Sequence, residues 1–377
     1  MKFSCTKDNF FLGLGATSHV AGRNMNLPIL NNTLIQADKR GIRLTTTNLE
    51  LAVVCTVRGK VDEDGEFTAP SKLLFDYVNL LQNERVDVEK NENTLHLQCE
   101  DNETQIQGLG ANEFPLIPPI VGEHTFELDA AEFRGALSQV LFAVASNESR
   151  AELSGVSLRF GKDAAKKPIL TIVATDSYRL AERAVVLDMA SADETDVIIP
   201  ARALSEVSRI LGLFRDDPEA ERRLQIRLSD SQAVFKYGSV ELTSRTIQGA
   251  YPDYRQIIPA SFKTEAVARR EQLIKAVKTT SLFSRTGLYD VTLMIDPASG
   301  ITASANDSAR GKNTAHTDAV VKGEPNNITV NSHYLLDGLH AIDTDEVVFC
   351  VNDGANPCLL RPKGKEGYLY LVMPIKQ

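Results

Sequence analysis

The side chains of this sequence that could do chemistry are scattered in a way that builds no active site. Six histidines stand at 19, 96, 124, 316, 333 and 340, and none forms HExxH or pairs with a cysteine at zinc spacing. His333 and His340 are seven residues apart, which puts them on one solvated or half-buried helix face rather than on a metal. Gly13-Leu14-Gly15-Ala16 is not the GxGxxG of a phosphate loop, because it follows no strand and lies inside a helical pattern. The five cysteines, at 5, 55, 99, 350 and 358, are odd in number, contain no CxxC pair and read as reduced core thiols. Asp and Ser do recur together, as in Asp307-Ser308, but always where a strand ends, and that is turn chemistry before it is catalysis. No metal, cofactor or nucleophile is expected, so the chain reads as a non-enzyme.

The recurrence itself carries the information. Thr47-Asn48-Leu49-Glu50, Thr175-Asp176-Ser177-Tyr178 and Asn306-Asp307-Ser308-Ala309 each end a strand, spaced near 130 residues apart. A second motif, an apolar strand running into a helix start, follows as Phe67-Thr68-Ala69-Pro70-Ser71, Val197-Ile198-Ile199-Pro200-Ala201 and Ile328-Thr329-Val330-Asn331-Ser332. From Asn48 to Pro70 is 22 residues, while Asp176 to Pro200 and Asp307 to Asn331 are each 24. Two motifs in fixed order and nearly fixed phase define three repeats, each of domain size. The segments 110–118 (GANEFPLIP) and 249–259 (GAYPDYRQIIP) are proline-bounded connectors, so the domains are expected at 1–120, 121–258 and 259–377.

Helical spacing predicts two helices per repeat, at 7–21 and 71–83, 130–146 and 201–215, 268–281 and 332–342. The first of each pair is marked by Phe10, Phe11 and Leu14, by Phe133, Leu137, Val140 and Val144, and by Leu273, Val277 and Thr280. The second is marked by Leu73, Tyr77 and Leu80, by Leu204, Val207 and Leu211, and by Leu335, Leu339 and Ile342, and all these stripes are expected to pack inward. The runs between them, such as 169–173, 233–237 and 347–351, read as strands without a βαβ rhythm, which gives an α+β fold with mostly antiparallel sheet. The charged segment 213–226 reads as a surface insertion.

Hydrophobic content of 43% and charged content of 24% are those of a globular protein rather than a disordered one. No apolar run is long enough to span a membrane and the start, Met1-Lys2-Phe3-Ser4-Cys5, lacks a signal-peptide core, so a cytoplasmic location is expected. A net charge of −9 argues against nucleic acid, but it is unevenly placed: the six predicted helices sum to +4 and the rest to −13. Positive charge gathered on one set of elements can draw a polyanion to an acidic protein.

Three motifs together resemble one family. Ala174-Thr175-Asp176-Ser177-Tyr178-Arg179-Leu180-Ala181, Tyr251-Pro252-Asp253-Tyr254-Arg255 and Leu371-Val372-Met373-Pro374-Ile375 are similar to the bacterial DNA polymerase III beta subunit, the sliding clamp family, over the whole chain. The resemblance implies three domains of the DNA clamp type, closed as a head-to-tail homodimer into a ring with helices lining the pore and sheets outside. It implies a processivity factor that encircles duplex DNA without reading sequence and tethers the replicative polymerase. The clamp loader, repair polymerases and other clamp-motif proteins would share its peptide cleft. Composition and repeats alone leave a rival reading, a three-domain scaffold or ligand-binding protein without a DNA role.

The family's positions fall residue by residue on this sequence. For the peptide cleft they are Leu153, Thr175, Ser177, Tyr178, Arg179, Leu180, Pro252, Asn331, Tyr334, Leu371, Val372, Met373, Pro374 and Ile375. For DNA they are Arg23, Asn24, Lys72, Asn147 and Arg150, and for dimer contacts Thr104 and Ile106 against Leu282 and Phe283. Two departures stand out: Lys376-Gln377 replaces the family's Arg-Leu type of ending, and Ala151-Glu152 replaces its aromatic pair.

Overall fold

The computed structural model of the chain describes residues 1–22, 27–82, 84–117, 124–146, 150–190, 194–214 and 222–376. Its six helices begin where strands stop: α1 (Lys7–Thr17), α2 (Ser71–Leu80), α3 (Ala130–Val140), α4 (Ala201–Leu213), α5 (Arg270–Ser281) and α6 (Ser332–Ala341). The residue at each switch frees the backbone from the sheet. Asn331 accepts the N–H groups of His333 (2.9 Å) and Tyr334 (3.3 Å), and Asp129 accepts that of Glu132 (2.8 Å). Five of the six helices bury most of the stripes expected of them, Phe10 and Leu14, Phe133 and Leu137, Leu204 and Leu211, Leu273 and Val277, and Leu335 and Leu339 among them, while Phe11 is half-buried and Val144 lies half-buried beyond the end of α3. Helix α2 does not. Its inward residues are Leu74 and Val78, one position on from the expected stripe, while Leu73 is 54% and Leu80 83% exposed.

Among the described residues all strand pairing is antiparallel, and it falls into two compact units that cut across the repeats. The first unit comprises Met1–Arg134, Leu187–Ala192 and Arg202–Thr246. Its nine-stranded sheet takes Val240–Arg245 of the second repeat directly onto Leu51–Val57 of the first. Its five-stranded sheet ends on Asn102–Gln107. The second unit comprises Gly135–Val186, Asp193–Ala201 and Ile247–Gln377. Its nine-stranded sheet joins Arg179–Val186 of the second repeat to Tyr368–Val372 of the third, and its four-stranded sheet has Gly311–Thr317 and Asn326–Asn331 as edges. Of the segment expected as a surface insertion, residues 215–221 lie outside the described residues. Arg223–Leu228 is a sheet strand whose Leu224 and Ile226 are fully buried, because its alternation serves the core.

The five cysteines are free and buried. Burial pushes the thiols of Cys5, Cys350 and Cys358 up to about 12 and that of Cys55 to about 11. These thiols keep their protons in the folded chain after the unfolded chain, titrating near 9.0, has lost them. The folded state therefore binds more protons above that pH, and stability falls as pH rises from about 9 toward 12. The urea midpoint is expected to drop over that window. A thiol reagent at pH 8 should label no cysteine in the native protein and all five in urea; rapid native labelling would contradict this burial.

Candidate functional site

The turn of the second repeat is built from its own side chains. Thr175 Oγ1 accepts the N–H of Ser177 (3.1 Å) and donates to Arg179 O (2.6 Å), while Asp176 Oδ1 accepts the N–H groups of Tyr178 (2.9 Å) and Arg179 (3.0 Å). The first repeat repeats this bond for bond through Thr47 and Asn48. Both turns hold their third residue, Leu49 or Ser177, in the left-handed region at φ 78° and 77°. In the third repeat Asp307 accepts from Ala309 and Arg310, and the turn is one residue longer, with Gly311 at φ 98°. The effect in the second repeat is to thrust Tyr178 outward, 64% exposed.

Four elements of the second unit converge on Arg179. Its guanidinium donates to Asp176 Oδ2 (2.9 Å), to Asp337 Oδ2 on α6 (2.5 Å) and to Phe142 O just after α3 (2.6 Å). It also lies 5.5 Å from the Phe142 ring and 4.5 Å from the Tyr334 ring. Burial opposes its charge, but Tyr370, Asp337 and Asp176 outweigh burial and hold it protonated. The C-terminal segment is tied alongside: Met373 N donates to Tyr178 O (2.8 Å), Ile375 N donates to Thr329 O (2.8 Å), and Pro374 bridges Val330. The connector carrying Pro252 is fixed by Tyr251, which donates to Val173 O (3.3 Å), and by buried Tyr254, which donates to Glu182. Burial and then that Glu182 bond push the Tyr254 phenol well above its ordinary range.

The structure thus brings Thr175, Ser177, Tyr178, Arg179, Asn331, Tyr334, Met373, Pro374 and Ile375 into one neighbourhood, with Pro252 on the adjoining connector. Leu180 and Leu371 lie beneath it in a buried cluster with Val173, Tyr254 and Val348, and Leu153 and Val372 are buried as well. The accessible part of this neighbourhood is Tyr178, Ser177 and the half-buried 373–375, with the apolar cluster of Leu180 and Leu371 buried nearby. An apolar surface beside exposed backbone is chemistry that suits an extended peptide with apolar anchors. Asp337 and Phe142 were not singled out from the sequence. The signal available for Asp337 was an acid six residues after each strand-ending residue: Asp76 after Pro70, Glu206 after Pro200 and Asp337 after Asn331.

Of the residues assigned to DNA, Arg23, Asn24 and Asn147 lie outside the described residues. Lys72 is exposed and has no ion pair among the described residues. Arg150 is exposed but donates through Nε to Glu152 Oε1 (3.0 Å), so the departure at Glu152 screens it. Of the helix cations, Lys275 and Lys278 are also exposed, whereas Arg209 is bound by Glu206 and by Ala16 O (3.0 Å). Of the residues assigned to the dimer, Leu282 is 67% exposed and Phe283 half-buried. Thr104 and Ile106 lie on the edge strand Asn102–Gln107, with Ile106 turned into its own core.

Three copies of one α+β repeat, joined sheet to sheet, define a clamp-like fold. The N-terminal, central and C-terminal domains of the DNA polymerase III beta subunit match residues 1–118, 127–253 and 255–376. The chain belongs to the DNA polymerase III beta subunit family, and its function is that of a DNA sliding clamp, a processivity factor without catalysis of its own. It is 32% identical over 383 residues to a beta sliding clamp from Synechococcus elongatus, covering 100% of this chain and 99% of that one. It is 28% identical over 386 residues to one from Staphylococcus aureus, with the same coverage. A sliding clamp from Pseudomonas aeruginosa bound to griselimycin superposes with a TM-score of 0.92 at 26% identity, covering 100% of both chains. One from Bacillus subtilis superposes at 0.91 and 26%, covering 100% of this chain and 99% of that one.

Proposed function

We propose that two copies of this chain, each of domains 1–120, 121–258 and 259–377, close head to tail into a ring around duplex DNA in the cytoplasm. The groove around Tyr178, Tyr334, Pro252 and 371–375 then tethers the replicative polymerase, the clamp loader, repair polymerases and other proteins carrying the clamp-binding motif. Effective concentration, not chemistry, makes a tethered polymerase processive.

The observation that carries ring closure is a junction made twice within the chain and left half-made at each end. In both complete junctions the last strand of one repeat pairs with the strand after the turn of the repeat before it. Ser244 lies opposite Leu51 and Leu242 opposite Val53; Val372 lies opposite Arg179 and Tyr370 opposite Ala181. The next residue donates to the turn, Arg245 to Glu50 O (3.0 Å) and Met373 to Tyr178 O (2.8 Å). Two residues on, Ile247 donates to Ile198 O (2.8 Å) and Ile375 to Thr329 O (2.8 Å). The first repeat ends the same way, with Leu109 donating to Thr68 O (3.0 Å), so Ile106 stands where Ser244 and Val372 stand. The corresponding strand after the third turn is Gly311–Thr317, an edge.

Transferring the register sets Ile106 opposite Gly311, Thr104 opposite Asn313 and Asn102 opposite Ala315. Facing agrees: Thr104, Asn313 and Ala315 are half-buried, while Glu103, Gln105, Lys312 and Thr314 are exposed. A five-stranded and a four-stranded sheet joined there make nine, the size of the two complete sheets. A ring retains DNA by topology, so Lys72 and the other exposed cations need supply only weak, salt-sensitive attraction. Protein loaded on circular duplex should persist there and leave within the dead time once the circle is cut. Equally slow release from both forms would sink the reading.

A further inference from the structure

Helix α2 presents apolar residues at positions that α4 and α6 cover. Counted from the strand-ending residues Pro70, Pro200 and Asn331, the third, seventh and tenth positions hold Leu73, Tyr77 and Leu80 in α2. They hold Ala203, Val207 and Ile210 in α4 and Tyr334, Gly338 and Ala341 in α6. The α4 residues are all buried, and in α6 Gly338 is buried with its two companions half-buried. Both helices touch the preceding repeat, Arg209 of α4 donating to Ala16 O in α1 (3.0 Å) and Gln139 of α3 donating to Ala341 O (3.0 Å), while Gly338 packs on Tyr370 of its own repeat. In α2 no described residue of another repeat covers this face, and Leu73 and Leu80 stay exposed.

The sixth position is an acid in all three helices, and two of the acids do the same thing. Glu206 holds Arg209, which also donates to Ala16 O at the end of α1. Asp337 holds Arg179, which also donates to Phe142 O just beyond α3. A guanidinium thus pins the second helix of one repeat to the end of the first helix of the repeat before it. Asp76 is exposed and has no ion pair among the described residues. In the third repeat the turn carries Arg310, next to Gly311, the residue that stands where Arg179 stands. Its Nη2 donates to Thr286 Oγ1 (3.1 Å), and no described carboxylate pairs with it. Nearby Arg285 is taken by Asp290 through bonds of 2.8 and 2.6 Å.

We propose that Asp76 pairs with Arg310 of the partner subunit, and that Leu73 and Leu80 are covered there by the end of α5 with Leu282 of the partner subunit. The pin rests on the ring reading. It follows the surface begun by Asn102–Gln107, and the occupant is a second copy because acid and base sit on opposite ends of one chain. Once enclosed by the leucines, the pair is desolvated, so reversing one partner sets like charges together.

Asp76→Arg and Arg310→Asp should each weaken dimerisation by about tenfold or more, read by sedimentation across a dilution series. Mixing the two single variants should restore tight dimers, because both junctions of the mixed ring then carry opposite charges; the double variant should dimerise like the unaltered chain. A misfolded single variant would show lost circular dichroism, and the double variant then decides. If the unaltered chain is a dimer and neither mixing nor doubling restores association, the pin is wrong and the ring stands. If the unaltered chain runs at 41.4 kDa at micromolar concentration, the ring itself fails.

Discussion

Removal of residues 373–377 is expected to abolish binding of a clamp-motif peptide while leaving the dimer mass unchanged. Met373, Pro374 and Ile375 are half-buried beside Tyr178 and Asn331, and they form the near wall of the groove. The deletion removes three apolar side chains, each worth on the order of 1 kcal/mol when half-covered. It also removes the bonds to Tyr178 O and Thr329 O, which hold the segment in place rather than adding to peptide affinity, so the side chains alone set the size of the effect. A loss on the order of a hundredfold in peptide affinity follows. Leu371 and Val372 remain in register with Leu180 and Arg179, so the nine-stranded sheet keeps its last strand. The proposed dimer edges, Asn102–Gln107 and Gly311–Thr317, lie elsewhere in the fold. Fluorescence anisotropy with a labelled peptide and light scattering on the same sample read the two halves. Unchanged peptide affinity would put the groove in the wrong place.

What the sequence made legible was local. The helix starts at Pro70, Pro200 and Asn331 and the Asx turns at Asn48, Asp176 and Asp307 are set by residues within a few positions of each other, and all six appear where expected. What it hid was non-local. Nothing in the period of Val240–Arg245 says that its partner is Leu51–Val57, some 190 residues earlier by numbering, so the sheets cross the repeat boundaries that the connectors mark in the sequence. Side-chain pairing was hidden for the same reason. Arg150 takes a DNA position by resemblance although Glu152 holds its Nε, and Arg209 adds to the helix charge although Glu206 and Ala16 O hold it. The α2 stripe was misread because periodicity finds an apolar face without saying what covers it: Leu73, Tyr77 and Leu80 satisfy the helical period as well as Leu74 and Val78 do. Depth was hidden as well, since Leu153, Leu180, Leu371 and Val372 take cleft positions by resemblance yet are buried.

Thr104→Cys combined with Asn313→Cys is expected to lock the ring covalently, giving a species of twice 41.4 kDa on non-reducing gels. In the two in-chain junctions the residues at this place are Leu242 with Val53 and Tyr370 with Ala181. Arg245 with Glu50 and Met373 with Tyr178 are hydrogen-bonded pairs. Antiparallel pairs alternate, so three residues along the pairing is of the non-hydrogen-bonded kind, with Cα atoms about 4.5 Å apart. That is the spacing a disulfide spans without strain. A slip of two residues, tested as Thr104→Cys with Ala315→Cys, sets the pair about 7 Å apart and should not close. The five native cysteines are buried and offer no competing thiol under mild oxidation. A ring locked on circular DNA should then stay on it through denaturant, whereas the unlocked protein should come off. Cross-linking of the slipped pair instead would shift the register; cross-linking of neither would take the interface away from these two edges.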